Sequence, residues 1–393
     1  MTNKKKIGIM TFWESNDNYG QQLQCWALQH YLRSKGFDPF LIRARMFTAV
    51  SKKSRIKSFA KQIIRFFKEA TANRIISCNG LQSDIFSKLI LDKFGKDWVY
   101  RRFNVFQRKY LKRSRIYNSY AELFNDPPKA DIYIAGSDQI WNTDLTNEVW
   151  EMTFLQFGFQ GIKRIAYAPS MSICDMNSEQ KRMFAKYLKS FTAISAREDR
   201  TVKNCRELGY ECELVIDPTI LLSSPDYKEI EKSKHQTPYI FLYTINYETI
   251  DEIPSIGELR KIAKLPSCDV VVTTGGGYIK NDELLNDEVK YDYATIPEWI
   301  GNIRNAELVI TPSFHGIVFS ILFHRNFIFT PLKGRYSTGN ERVFDLLNHL
   351  GIQGHVWGQS DVNSCIDWCN VDVRLSQLRT NSMTYLLNAI EKK

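Results

Sequence analysis

Short apolar runs of strand length recur along this chain, separated by stretches of helical periodicity, and that alternation constrains the fold more than any other feature. Residues 6–12 (KIGIMTF) read as a buried strand, and a turn-rich segment, Glu14 to Gly20, follows. Leu23, Trp26, Ala27, Tyr31 and Leu32 then recur at helical spacing up to Gly36, which suits a C-cap, and residues 39–42 (PFLI) open the next strand. The rhythm resumes at 131–135 (DIYIA), 164–168 (RIAYA), 191–196 (FTAISA) and 213–216 (ELVI). A second series runs through 239–245, 269–274, 307–311 and 327–330. Strands alternating with helices build parallel sheets covered on both faces, so the expected fold is α/β with two doubly wound, Rossmann-like domains facing a cleft. A chain of 393 residues also exceeds one ordinary core. Residues 217–238, with Pro218, Pro225 and Pro238, are the expected linker. The domains are placed at 1–222 and 223–372, with a last helix, 373–393, packing back on the first.

Charge breaks this rhythm at one place. The net charge is +10, but residues 43–115 carry 20 Lys or Arg against Glu69, Asp84, Asp92 and Asp97. The block is therefore +16 and the remainder −6, which points to a local partner or a solvated face rather than a globally basic protein. We read 44–118 as a helical insertion. Within it, residues 51–70 place Ile56, Phe59, Ile63, Ile64 and Phe67 on one face and Lys and Arg on the other. Residues 97–116 have a similar composition. No run of 18 apolar residues occurs, and no apolar segment with a cleavage site follows the basic start, so a cytoplasmic protein is expected. The eight cysteines lack zinc-ribbon pairing, and no metal is expected.

In wound sheets, ligands meet the carboxyl ends of the strands, so polar residues just past each strand are the candidates. His315, in Thr311-Pro312-Ser313-Phe314-His315-Gly316, opens an apolar helix, where free backbone N–H groups favour an anion. A histidine there can bind phosphate or exchange a proton near neutral pH; the blander reading is a helix cap. Arg197 follows the 191–196 strand and suits a bidentate grip on phosphate or carboxylate, or else a surface pair with Glu198 or Asp199. Lys333 and Arg335 lie past the 327–330 strand and add positive charge. Asp17, Asn18, Tyr19 and Gly20 sit in the first strand–helix turn, which also reads as an N-cap. In Gly136-Ser137-Asp138-Gln139-Ile140-Trp141-Asn142, Asp138 can accept a hydroxyl proton and Trp141 can stack on a sugar, unless the segment is only a capped turn with a buried indole. Gly275-Gly276-Gly277 matches no phosphate-loop pattern.

Taken together these segments resemble the polysaccharide pyruvyl transferases. The matches are Asp17-Asn18-Tyr19-Gly20, Ala135 to Asn142, Ser195 to Glu198, Ile216-Asp217-Pro218-Thr219, Pro297-Glu298-Trp299-Ile300 and Ser313 to Ser320, in the family's order. The resemblance implies a GT-B-like enzyme that takes phosphoenolpyruvate as donor without a metal or other cofactor. It also implies an acceptor side in the first domain and a donor side in the second. The family's donor-binding arginine, histidine and lysine fall here on Arg197, His315 and Lys333, with Arg335 a rival for the last and Ser313 beside them. Asp17 and Asn18 are expected near the acceptor, with Tyr19, Trp141 and Asn142. His315 is the expected acid, and Asp17 or Asp138 the acceptor of a hydroxyl proton. The expected acceptor is a sugar in a polyprenyl-diphosphate-linked repeat unit of a bacterial capsule or exopolysaccharide. Residues 51–70 would then lie on an anionic membrane surface.

Two other readings compete. A GT-B nucleotide-sugar glycosyltransferase shares the architecture, but the candidates supply anion grips and no base contacts. A nucleic-acid-binding protein would use the aromatic-rich basic block, yet would not need polar residues at strand ends, and no nucleic acid is expected.

Overall fold

The computed structural model describes residues 4–46, 100–171, 176–236, 238–276, 289–359, 362 and 364–392. The basic amphipathic segment at 51–70 and Gly277 lie outside the described residues.

The first half runs β1 (Lys6–Met10), α1 (Tyr19–Ser34), β2 (Asp38–Ala44), α2 (Phe103–Tyr110), β3 (Arg113–Tyr117), α3 (Tyr120–Asn125), β4 (Ile132–Ala135), α4 (Asn147–Thr153) and β5 (Lys163–Ala166). It continues through α5 (Ser178–Leu188), β6 (Ser195–Ala196), α6 (Asp199–Glu207), β7 (Glu213–Leu214) and α7 (Pro218–Leu221). The second half holds β8 (Tyr239–Thr244), α8 (Ile256–Ala263), β9 (Asp269–Thr274), β10 (Lys290–Tyr291), α9 (Ile296–Asn305), β11 (Leu308–Thr311), α10 (Phe314–Leu322), β12 (Phe327–Phe329), α11 (Glu341–Leu350) and α12 (Trp368–Glu391).

Two five-stranded sheets result, ordered β3-β2-β1-β4-β5 and β10-β9-β8-β11-β12, with every pairing parallel. The chain thus winds the same topology twice, with the order reversing at β1 and at β8, the GT-B-like arrangement. The central strands are apolar on both faces because helices cover both: β4 (IYIA) and β8 (YIFLYT) are buried throughout. A short parallel pair, β6–β7, extends the first sheet through a bridge between Ile165 and Ala193.

Two expectations are corrected. The basic stretch ending at residue 118 is not all helical insertion, because Arg113–Tyr117 is the edge strand β3, pairing with β2. Its charges alternate with Ser114 and Ile116, and such a charged edge strand resists pairing with other chains. Residues 217–238 are not a loose linker either. Pro218 lies in the first turn of α7 and Pro225 in that of a 3-10 turn over Ser224–Glu229, where a fixed φ and a missing N–H are tolerated. Ile220, Leu221 and Tyr227 are buried between the halves, and the Tyr227 ring meets Trp26 and Phe319 at 5.4 and 4.9 Å. Each such side chain contributes roughly 1.5–3 kcal/mol on burial, so the crossover is part of the core.

Other contacts seal the halves together. Tyr19 stacks on Trp299 at 5.1 Å and donates from its hydroxyl to the Ala294 carbonyl. Helix α12 returns to the first half: the Tyr385 hydroxyl donates to the Ala166 carbonyl, Ser382 accepts from Ile216 N, and Lys163 Nζ reaches the carbonyls of Ala389 and Ile390. A cation at that end suits the helix dipole. Among the described residues no helix is long and apolar enough to cross a membrane.

Candidate active site

Several of the strand-end candidates come together in one buried cluster between the two halves. Arg197 follows β6 and its side chain is fully buried. Its Nη1 donates to Asp217 Oδ2 at 2.7 Å and to Ser137 Oγ at 3.2 Å. Among the described residues its Nε and Nη2 are buried without hydrogen-bond partners; the facing carboxylates, Glu198 and Asp138, stand off at 3.9 Å. The guanidinium lies 4.7 Å over the ring of Phe314.

Asp217 caps α7 and organises the cluster. Its Oδ1 accepts from the Thr219 backbone N–H and hydroxyl, and its Oδ2 from Arg197 and from the Ser137 hydroxyl. His315 Nε2 stands 3.5 Å from the same oxygen and has no hydrogen-bond partner among the described residues. Burial works to raise the Asp217 pKa, but His315 and Arg197 beside it and the Thr219 hydroxyl hold the carboxyl well below the usual carboxylate range. It is therefore an anion at any ordinary pH.

His315 occupies the first turn of α10, whose N-cap Ser313 accepts from Gly316 N. Its ring packs against the first turn of α1. A Cβ built on Gly20 would fall 1.9 Å from His315 Nδ1, so only glycine permits this approach. Asp17, just before α1, lies across the cleft from the loop after β9, its Oδ2 3.4 Å from where a Gly276 Cβ would stand. Asp138 carries a left-handed backbone (φ 81°) that turns it toward Arg197.

The structure therefore brings Arg197, His315, Ser313, Asp138 and Asp17 to the cleft. It places other candidates elsewhere. Trp141 is fully buried, stacked on Phe154 at 4.7 Å in the first domain's core, and has no face for a sugar. Asn142 serves a turn, its carbonyl accepting from Trp150 Nε1 and its Oδ1 from Asp144 N. Tyr19 is consumed by the domain interface. The Asn18 side chain caps α1 by accepting from Gln21 N. Lys333 has an exposed side chain, and Arg335 pairs with Glu248 at 3.0 Å. Asp217 and Ser137 join the cluster although no sequence signal marks either side chain as part of a site. Asp217 stands just past a strand and before a helix-opening proline, the position expected to matter, but the proline-rich stretch it begins read as linker.

Helix α11 closes the cluster from the second domain. Glu341 pairs with Arg200 at 3.1 Å, Asp345 accepts from Asp199 N, and His349 pairs with Asp199 at 3.1 Å. Burial, Asp199 and Glu198 push the Asp345 carboxyl up to about 6. A raised acid pKa favours the folded state while the group is protonated, and this advantage fades as pH climbs from about 4 to 6. Asp345→Asn is thus expected to stabilise the protein above pH 6.5 by about 1–2 kcal/mol, allowing for its partial exposure, and to give nothing at pH 4. Thermal unfolding at the two pH values measures this.

A small cavity of about 30 Å³ is lined by Arg197, Asp217 and Phe314, and two larger ones lie away from the cluster. One of about 840 Å³ runs between β7 and α12, and one of about 470 Å³ lies beside β12 and residues 362–368. Neither is lined by Arg197, Asp217 or His315.

Comparison with known proteins agrees with the motif order. A family model described as polysaccharide pyruvyl transferase matches residues 18–332, most of the chain. No match to a curated protein accompanies it. Among solved structures, the UDP-GlcNAc 2-epimerase from Methanocaldococcus jannaschii aligns over 95% of this chain and 92% of its own, at 12% identity and a TM-score of 0.47. UDP-N-acetylglucosamine 2-epimerase from Rickettsia bellii aligns over 98% and 96%, at 10% identity and a TM-score of 0.45. The Neisseria meningitidis enzyme bound to UDP-GlcNAc aligns over 98% and 94%, at 11% and 0.43. Likeness this distant adds nothing to the sheet topology above.

Proposed function

Because the chain belongs to the polysaccharide pyruvyl transferase family, we propose that it transfers the pyruvyl unit of phosphoenolpyruvate onto two hydroxyls of a sugar as a cyclic ketal, releasing phosphate. One observation carries the donor assignment. Arg197 Nε and Nη2 and His315 Nε2 are buried and, among the described residues, make no hydrogen bond, with carboxylates no nearer than 3.5 Å, beside the N-terminus of α10. Buried donors are left unpaired at a cost of about 1–3 kcal/mol each, and an entering anion removes that cost.

In this reading the phosphate sits at the start of α10, against Arg197 and His315. His315 protonates the methylene carbon of the donor, leaving an oxocarbenium-like centre at C2. One sugar hydroxyl adds there and loses its proton. The second hydroxyl then displaces phosphate at C2, breaking the C2–O bond and closing the ring. Two hydroxyl protons are released overall: one balances the proton placed on the methyl group, and the other leaves with phosphate. In this reading Asp138, 3.9 Å from Arg197, and Asp17, across the cleft, take them.

The acceptor is proposed to be a polyprenyl-diphosphate-linked oligosaccharide, met at an anionic membrane face through residues 51–70. Co-sedimentation with anionic vesicles at low salt tests that part.

The chemical role of His315 is read from a kinetic split. As the acid, His315→Gln is expected to lower kcat for acceptor-dependent phosphate release by about 10²–10⁴-fold with a lesser change in the donor KM. A raised KM with kcat intact at saturation would leave His315 as a phosphate ligand only. No donor binding and no phosphate release by the unaltered protein would remove the donor assignment.

A further inference from the structure

The cluster has a charge problem that the residues assigned so far do not solve. Asp138, Glu198 and Asp217 are all buried around Arg197. One guanidinium against three carboxylates does not attract a ligand carrying both phosphate and carboxylate, and His315 supplies at most one more charge. Arg335 is held by Glu248, and the side chain of Lys333 is in solvent.

Arg342, in the first turn of α11, comes from the second domain toward the same place. Its guanidinium carbon lies 5.7 Å from the centre of the Phe314 ring, the ring that also lies under Arg197. Its Nε is buried and has no hydrogen-bond partner among the described residues. Among the described residues no carboxylate approaches it within ion-pair distance, whereas its neighbour Glu341 is paired to Arg200. Arginine is ordinarily buried only when paired, so a half-buried guanidinium with an idle Nε, near an Arg197 whose Nε and Nη2 also make no hydrogen bond, is a site suited to an anion. Burial first, and Arg197 second, push its pKa down to about 10 against the opposing pull of Glu198, Asp138 and Asp217, which leaves it charged at neutral pH.

We propose that Arg342 is the second cationic arm of the donor site and grips the carboxylate of phosphoenolpyruvate, while Arg197, His315 and the start of α10 hold the phosphate. The inference rests on the donor reading above. Its physical content is that recognition straddles the domains. The phosphate side is set by β6 and α10, the carboxylate side by α11, and a donor lacking either group loses one arm. A planar guanidinium matches a carboxylate bidentately, which a lysine ammonium at the same place does not.

The test compares two probes on the full-length protein: phosphoenolpyruvate and inorganic phosphate, which lacks the carboxylate. Dissociation constants are measured by calorimetry for the unaltered chain, Arg342→Gln and Arg342→Lys, with thermal unfolding to confirm that each folds. Arg342→Gln is expected to weaken phosphoenolpyruvate binding at least 30-fold and phosphate binding less than 3-fold, and Arg342→Lys to recover only part of the loss. Equal weakening of both anions, or an unchanged phosphoenolpyruvate constant in both variants, overturns the assignment of Arg342 and leaves the donor reading intact. If the unaltered chain does not bind phosphoenolpyruvate, the donor reading itself fails, and this inference fails with it.

Discussion

Asp217→Asn is expected to destabilise the protein by about 3–5 kcal/mol and to abolish donor binding. The substitution is nearly isosteric, so the effect is electrostatic. Asp217 Oδ2 accepts from Arg197 Nη1 at 2.7 Å and from the Ser137 hydroxyl, and stands 3.5 Å from His315 Nε2. An amide nitrogen there sets donor against donor, while an amide oxygen there turns the nitrogen onto the Thr219 donors that Oδ1 now receives. Either way Arg197, with no exposed side-chain surface, loses its counter-charge, and removing one partner of a buried pair has an effect of this size. The sign with pH follows from the depressed carboxyl. Its contribution is complete above its ordinary value of 3.8 and is lost only as pH falls through the lower folded value. The stability difference between the two proteins should therefore stay constant from pH 8 to pH 5 and narrow only in stronger acid. Denaturant unfolding across that range checks it; a difference under 1 kcal/mol at pH 7 would falsify the view that Asp217 holds the cluster together.

Gly20→Ala is the second large effect, and it runs against propensity. Gly20 is the second residue of α1, where alanine normally gains up to about 1 kcal/mol over glycine. Here the new Cβ lands 1.9 Å from His315 Nδ1. Either the imidazole leaves its position at the start of α10 or the two helices separate. A catalytic group displaced by about 1 Å loses roughly 10²-fold in rate, so phosphate release should fall at least that far, together with stability. Gly257→Ala is the control. It occupies the same second position of a helix, in α8, with nothing within 4 Å of its Cβ, so it should leave activity unchanged and raise stability slightly.

The strand-end rule pointed to residues that the structure gathers in one cluster because it is a rule of topology: parallel wound sheets present their carboxyl edges to the cleft, and Arg197 and His315 lie just past β6 and β11. It over-reached where a polar or aromatic residue past a strand has a local use. Trp141 turns back into the core against Phe154, and Asn142 is spent on its own turn. Local pattern does not distinguish an indole facing a cleft from one facing a core, because both follow the same turn. The same limit hid β3. A five-residue basic strand at a sheet edge has the composition of a solvated helix and becomes a strand only through its partner, β2.

What the sequence determined by itself was the winding: apolar runs of strand length between amphipathic helices, twice over, with glycine and N-cap residues marking the turns. Those signals are local, set by side-chain period and backbone preference within a few residues, and so they can be read without knowing what they pack against. Only the tertiary structure decided which charges meet. Arg197, Asp217, His315 and Arg342 come from four different elements, and Gly20 must be glycine because of a ring nearly 300 residues away. The physical reason is that desolvation is a property of the assembled cleft: an arginine in a loop is an ordinary solvated cation until folding takes away its water and leaves its donors unpaired.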